Sequence, residues 1–262
     1  MRLAGRTALV TGSSKGIGAE IARRLGAEGA DVAVNYNSDK AGAEAVADHI
    51  RSSGRRSIAL PGNVGVAAEA RRLVADAAAF LGRIDILVNN AGITPFVPFL
   101  ELSEDTWDKT IDTNLKGMFV CSQAAARIMA ANKWGRIVNI GSGAGQAAFP
   151  DCVHYNASKG GVNMLTLGMA NALGPMGITC NVVSPGAIAL ERTLADNPDY
   201  DRNWGALTPM RRGGRTSDVS ALVAWLCTDE AFFVTGQVIA VDGGLFAAAP
   251  WPRREDGTYK PG

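Results

Sequence analysis

The sequence predicts an α/β fold: one domain in which a seven-stranded parallel sheet carries helices on both faces. Short β-branched runs alternate with longer Ala-rich stretches of helical period, the pattern left by strands joined through crossover helices. A length of 262 residues can bury a substantial core in one large domain. Apolar residues make up 47% and charged residues 19% of the chain, with a net charge of +1, which argues against disorder and against a surface built for a polyanion. Nucleic acid is therefore not an expected partner.

Strands are predicted at Thr7 to Val10, Asp31 to Asn35, Ser57 to Leu60, Ile84 to Asn89, Arg136 to Ile140, Ile178 to Val183 and Gln237 to Val241. Helices are predicted at Gly18 to Glu28, Asp39 to Ser52, Ala67 to Leu81, Ser103 to Ala131, Tyr155 to Leu173 and Ser217 to Leu226. Ser103 before Glu104, Asp105 and Thr106 is a capping signature, since acidic residues favour the positive end of the helix dipole. Small residues in the two long helices, among them Ala124, Ala125, Gly160, Gly161 and Gly168, permit close packing, either within the core or between subunits. Residues 187–215 mix Pro and Gly with apolar Leu194, Trp204 and Leu207, which suits a mobile lid. The domain is placed at residues 1–249, and the Pro- and charge-rich 250–262 as an irregular tail.

Cys121, Cys152, Cys180 and Cys227 are scattered without the close pairs of metal sites or disulfide scaffolds, and they read as idle thiols in a reducing compartment. No apolar leader with a cleavage site follows Met1, and no run reaches the roughly 18 apolar residues of a membrane span, so a cytoplasmic enzyme is expected. His49 and His154 lack metal-ligand spacing, and no metal is expected.

Thr11-Gly12-Ser13-Ser14-Lys15-Gly16-Ile17-Gly18 follows the first strand directly and opens the first helix. Without a Cβ, Gly12 and Gly16 can take positive φ and turn backbone N–H groups toward a pyrophosphate, while Gly18 lets the helix approach the sheet. Tyr155 and Lys159, four residues apart on a predicted helix, share one face, and a nearby ammonium favours the phenolate form needed for proton exchange near neutrality. Ser142 lies just past the fifth strand, at the carboxyl edge where open α/β sheets bind ligands.

Together these motifs resemble the short-chain dehydrogenase/reductase family over about Arg6 to Gly244. The octet resembles the family's Thr-Gly-x-x-x-Gly-x-Gly turn, Asn89-Asn90-Ala91-Gly92 its Asn-Asn-Ala-Gly element, and Pro185-Gly186 its turn beneath the nicotinamide. The resemblance implies a Rossmann-like doubly wound fold, a homotetramer, and a catalytic tetrad of Asn114, Ser142, Tyr155 and Lys159. In it Ser142 and Tyr155 bind the carbonyl oxygen, Tyr155 exchanges the proton, Lys159 lowers the tyrosine pKa and holds a ribose hydroxyl, and Asn114 holds a water beside the lysine. The implied cofactor contacts are Gly12, Ser14, Lys15, Gly16, Ile17, Gly18, Tyr36, Asn37, Ser38, Asn63, Val64, Asn90, Ala91 and Gly92, with Tyr155, Lys159, Pro185, Gly186 and Ile188 at the nicotinamide end.

NADP(H) is favoured, with NAD(H) the alternative. Asn35, Tyr36, Asn37 and Ser38 place no carboxylate against a 2′-phosphate, and Lys15 offers it a positive charge. The other reading has Lys15 solvated and Asp39 capping the next helix. Leu190 departs from a threonine of many relatives that contacts the carboxamide, a role Thr193 is available to take. Thr94, Phe96, Ala144, Gln146, His154 and Trp204 are expected near substrate, and their mixed character fits a ketone or secondary alcohol of moderate size.

Within the family the sequence resembles 3-oxoacyl-carrier-protein reductases and glucose-type (sugar or polyol) dehydrogenases. A carrier protein calls for basic residues at the site mouth, where Lys133 is charged but Met176 is not, so a small-molecule carbonyl reductase is preferred. Rival classes are an epimerase or dehydratase on an extended version of the fold, which the length opposes, and a non-catalytic dinucleotide-binding sensor or scaffold, which the tetrad opposes.

Overall fold

The computed structural model describes residues 1–247, so the boundary at 249 and the tail at 250–262 lie outside the described residues. The first half of the chain supplies β1 (Thr7–Val10), α1 (Gly16–Ala27), β2 (Asp31–Tyr36), α2 (Lys40–Ser52), β3 (Ser57–Pro61), α3 (Ala67–Leu81), β4 (Ile86–Asn89), α4 (Glu104–Ile111) and α5 (Gly117–Ala131). The second half supplies β5 (Gly135–Ile140), α6 (Val153–Leu173), β6 (Ile178–Pro185), α7 (Glu191–Asp196), α8 (Tyr200–Leu207), α9 (Thr216–Leu226) and β7 (Val238–Val241). The strands form one seven-stranded sheet in the order β3-β2-β1-β4-β5-β6-β7, every neighbouring pair parallel.

Alternation along the strands sorts side chains to two cores. Ala8, Val10, Val32, Val34 and Val138 pack with α1, α2 and α9 on one face. Leu9, Ala33, Leu87, Ile137 and Cys180 pack with α3, α5 and the end of α6 on the other. The chain reverses direction of travel across the sheet between β1 and β4, which opens a crevice at their carboxyl ends.

Two predicted segments differ from expectation. The long helix from Ser103 is capped as expected, with Ser103 Oγ accepting from the Thr106 N–H at 3.2 Å, but a π turn at Asp112–Lys116 divides it into α4 and α5. Such a turn inserts an extra residue without ending the helix, and here it carries Asn114. The supposedly irregular 187–215 contains α7 and α8, and its ends are zipped where Ala189 N donates to Gly214 O and Gly214 N to Ala187 O, both at 2.8 Å. The small residues of α6 divide: a Cβ on Gly161 would meet Leu115 at 2.8 Å, inside the core, whereas Gly160 and Gly168 face open space. All four cysteines are free and buried, and burial pushes Cys121, Cys180 and Cys227 up to about 12, which leaves them unreactive thiols. Among the described residues no helix is long and apolar enough to cross a membrane.

Candidate active site

The glycine turn is built by hydrogen bonds from neighbouring strands. Gly12 and Gly16 adopt φ of +59° and +60°, the left-handed region that an L side chain rarely enters. A Cβ on Gly12 would stand 2.8 Å from Ala91 Cα, so this glycine is required on two counts. A Cβ on Gly18 would strike Asn90 Nδ2 and Gly12 O, which explains why the helix can enter so close to the sheet. Asn90 Nδ2 donates to Thr11 O and Gly12 O at 3.0 and 2.8 Å, and Thr11 Oγ1 accepts from the Asn90 and Ala91 N–H groups at 3.0 and 3.1 Å. The β1 turn and the β4 turn are thereby stapled into one floor.

Asn35 had signalled only a missing carboxylate; in the structure it clamps the turn. Its Oδ1 accepts from Gly12 N at 2.9 Å, and its Nδ2 donates to Gly62 O at 3.1 Å and Tyr36 O at 3.2 Å. An asparagine closing the apolar run Val32-Ala33-Val34 was the available signal, because a buried amide is costly unless every polar atom finds a partner. Beyond it Tyr36 is half-buried and Asn37 and Ser38 are exposed. Lys15 stands exposed at the start of α1, whose N-terminal N–H groups have no side-chain cap, and Ser14 lies beside it. Asp39 does cap α2, its Oδ1 accepting from Gly42 N at 3.0 Å. At the far rim Asn63 Oδ1 accepts from Gly65 N at 3.0 Å, and Val64 is buried against the approach of Gly117.

Tyr155 and Lys159 sit one turn apart near the start of α6, with Lys159 Nζ 5.6 Å from the centre of the Tyr155 ring. A buried chain of amides and hydroxyls fixes this helix to the sheet: Asn89 Nδ2 donates to Asn139 Oδ1, and Asn139 Nδ2 to Thr166 Oγ1, each at 2.8 Å. Ser142, just past β5, and Thr94 lie beside the Tyr155 phenol. Burial pushes that phenol above its ordinary value, and these two neighbouring hydroxyls oppose the push. Burial also brings Lys159 down to about 8, and its Nζ donates to Ile140 O at 2.8 Å. The ammonium is aimed at that carbonyl, and the balance at the phenol is set by burial against the neighbouring Ser142 and Thr94 hydroxyls.

Asn114, fully buried in the π turn, grips Ile93 from both sides. Its Oδ1 accepts from Ile93 N at 2.8 Å, and its Nδ2 donates to Ile93 O at 2.9 Å and to Ser158 Oγ at 3.2 Å. The side chain is thus a backbone clamp that sets the residue next to Thr94. His154, expected at the substrate, is placed elsewhere. It is fully buried, its Nε2 3.1 Å from Pro95 O, so it holds the Thr94 segment from the other side and does not face substrate.

Thr193 is unavailable for the carboxamide, since its hydroxyl accepts from Leu190 N at 2.8 Å and donates to Leu190 O at 2.9 Å. Leu190 itself reaches over Gly16, 3.5 Å from where a Cβ would be. Pro185 and Gly186 end β6, Gly186 N donating to Val241 O at 3.0 Å, and Ile188 is buried beyond them. Ala144 is buried with its N–H donating to Ser142 Oγ at 3.1 Å, while Gln146 and Phe96 are exposed. Trp204 packs on Tyr200 within α8, ring centres 6.1 Å apart.

The gathered hydroxyls, the lowered lysine and the helix-opening glycine turn suit a nicotinamide dinucleotide: the start of α1, free of a side-chain cap, offers its N–H groups to a pyrophosphate, and among the described residues Leu190 alone comes within van der Waals distance of a Cβ on Gly16. The family model described as enoyl-(acyl carrier protein) reductase matches residues 12–246. The 3-oxoacyl-[acyl-carrier-protein] reductase FabG of Staphylococcus aureus is 41% identical over 241 residues, which is 92% of this chain and 98% of the relative. Acetoin dehydrogenase YohF of Salmonella typhimurium superposes with a TM-score of 0.88 at 34% identity, covering 94% of this chain and 97% of that one. A blue fluorescent protein from a metagenomic library, solved in complex with NADPH, gives a TM-score of 0.86 at 38% identity over 94% of this chain and 99% of that one. With its single Rossmann-like domain and these relatives, the chain belongs to the short-chain dehydrogenase/reductase family of oxidoreductases.

Proposed function

We propose that this chain interconverts a ketone and a secondary alcohol of moderate size with NADP(H), as a small-molecule carbonyl reductase. One observation carries the reading: a half-buried tyrosine whose hydroxyl lies beside Ser142 and Thr94, one helical turn from a buried lysine, at the carboxyl edge of the sheet beside the glycine turn. The dinucleotide, held by the turn from Gly12 to Gly18, Asn90 to Gly92, and Pro185 to Ile188, supplies the hydride. Ser142 donates a hydrogen bond to the carbonyl oxygen and stabilises charge growing there. Tyr155 delivers the proton to that oxygen in reduction and accepts it in oxidation. Its raised pKa keeps the phenol protonated and ready to donate. Lys159 holds a ribose hydroxyl, and Asn114 positions Thr94 against the phenol through Ile93.

Preference for NADP(H) is supported by exposed, uncharged Asn37 and Ser38 and by Lys15 at the helix start, and the NADPH-bound neighbour is consistent with it. The carboxylate of Asp39 is engaged on the α2 backbone. Residues 187–215 act as the lid. Exposed Phe119 and Met164 and the open Gly160 and Gly168, on α5 and α6, favour a homotetramer, and a monomeric mass in solution would remove that part of the reading.

The test is NADPH absorbance across a panel of ketones, with NADH at matched concentration. Consumption of NADPH with small ketones, faster than NADH, is expected. No consumption with any ketone, nor reduction of NADP+ with alcohols, overturns the oxidoreductase assignment in favour of a binding role. The identity to FabG keeps a second reading, a 3-oxoacyl-carrier-protein reductase, and a carrier-linked substrate in the same panel separates the two.

A further inference from the structure

Residues 242–247, directly after β7, stay against the domain. The turn at Val241–Asp242 lies against the nicotinamide-side turn, since a Cβ on Gly186 would stand 2.7 Å from Asp242 Cβ. The Asp242 carboxylate then winds the next residues into a tight loop, accepting from Gly244 N at 2.9 Å and Phe246 N at 3.0 Å. The same loop meets the lid, where Met210 N donates to Gly243 O at 3.2 Å and Pro209 would touch a Cβ on Gly244 at 2.9 Å.

The loop ends by laying the Phe246 ring on Gly143, the residue after Ser142, so closely that any Cβ there would overlap the ring. Behind it the Phe149 ring stacks at 6.2 Å between centres with 28° between planes. Phe149 is in turn fixed by Asn156, the residue after Tyr155: Asn156 Nδ2 donates to Phe149 O at 2.9 Å and its Oδ1 accepts from Phe149 N at 3.3 Å. A closed circuit thus runs from the residue after the catalytic serine, through two aromatic rings, to the residue after the catalytic tyrosine.

We infer that Phe246, backed by Phe149, is the apolar wall that sets how large a substituent the ketone can carry on the Ser142 side, and so is a specificity-determining residue supplied by the loop after β7. The inference rests on the carbonyl-reductase reading and deepens it: one substituent is apolar and compact, packed against the ring face, while the other points toward the lid. Aromatic faces recognise flat or aliphatic groups and offer no hydrogen-bond partner to hydroxyls, so a heavily hydroxylated substituent is disfavoured on this side. Gly143 is required because only a residue without a side chain lets the ring lie flat beside Ser142.

The test compares wild type with Phe246→Ala, using butanone as the compact ketone and a branched aryl ketone as the bulky one. A cavity change of this kind alters discrimination by about 10- to 200-fold, so the ratio of kcat/KM for bulky over compact ketone is expected to rise at least about tenfold, mainly through KM. NADPH affinity stays unchanged, because the ring touches Ser142's neighbour and not the glycine turn. Phe246→Leu, which keeps an apolar side chain, is the second variant and gives an intermediate ratio. Calorimetric binding of both ketones to the NADP+ complex gives a readout independent of turnover, with the same reversal of preference expected. An unchanged ratio in both variants, or ketone binding that does not differ from wild type, overturns the inference. Failure of wild type to use any ketone would instead strike the parent reading.

Discussion

Lys159→Met should make the protein inactive and, at neutral pH, no less stable. The lysine is fully buried, and release of its proton falls from the ordinary 10.5 to about 8. A displacement of that size means that burying the charged ammonium costs about 3 kcal/mol at neutral pH. Methionine removes the cost and fills similar space, but it leaves Ile140 O without the donor now at 2.8 Å. An orphaned buried carbonyl loses about 1–3 kcal/mol, so the net change is a gain of about 0–2 kcal/mol. For a chain of this size the gain corresponds to a melting temperature higher by up to about 4 °C. The sign reverses with pH. Between about 8 and 10.5 the unfolded chain keeps a proton that the folded one has released, so wild-type stability rises with pH across that window. The variant lacks the group, and at about pH 9.5 its advantage should have shrunk by about 2 kcal/mol. Urea denaturation at the two pH values reads both numbers. A variant clearly less stable than wild type at neutral pH, by an amount that does not change with pH, would refute the claim that the folded protein bears an unfavourable buried charge.

Tyr155→Phe should lower kcat by at least about 100-fold, the scale of general acid catalysis, while NADPH binding measured by fluorescence titration stays the same. Gly12→Ala forces a Cβ to 2.8 Å from Ala91 Cα at a φ of +59°, and should weaken NADPH at least about tenfold and cost about 1–3 kcal/mol of stability. Asn114→Leu strips both polar groups of Ile93 of their partners and should destabilise the fold by about 2–4 kcal/mol in thermal unfolding. Lys15→Glu puts a negative charge where a 2′-phosphate would lie and should shift the NADPH-to-NADH ratio of kcat/KM toward NADH by about tenfold or more, the scale of one like-charge contact.

The sheet was legible because its signal is local. β1, α3 and the end of α6 fall where periodicity and the bounding Gly and Asn residues put them. The glycine turn and the Tyr155–Lys159 pair were legible for the same reason, being set by spacing within one element. What periodicity does not record is the partner across the fold. The π turn at Asn114 preserves helical backbone angles and breaks no apolar pattern, so it left no trace in the sequence. His154 read as a substrate contact because adjacency to Tyr155 says nothing about which way a helix turns it; the next residue on a helix points about 100° away, here into the core. The raised pKa of Tyr155 follows from burial, whose depth depends on β5, α6 and the Thr94 segment meeting, and no local stretch encodes that.

The staple between Thr11 and Asn90 spans 79 positions of chain, and the strands it joins, β1 and β4, are neighbours in the sheet but not in sequence. Everything from α1 to α3 must therefore be traversed before that contact can close, an entropic toll that slows folding of parallel sheets. A nascent chain that has produced only β1 to β3 holds the complete glycine sequence yet has no floor beneath it. Competence to bind a dinucleotide is thus delayed until the middle of the chain has emerged and docked, and a bound dinucleotide should favour the closed arrangement over any half-assembled one.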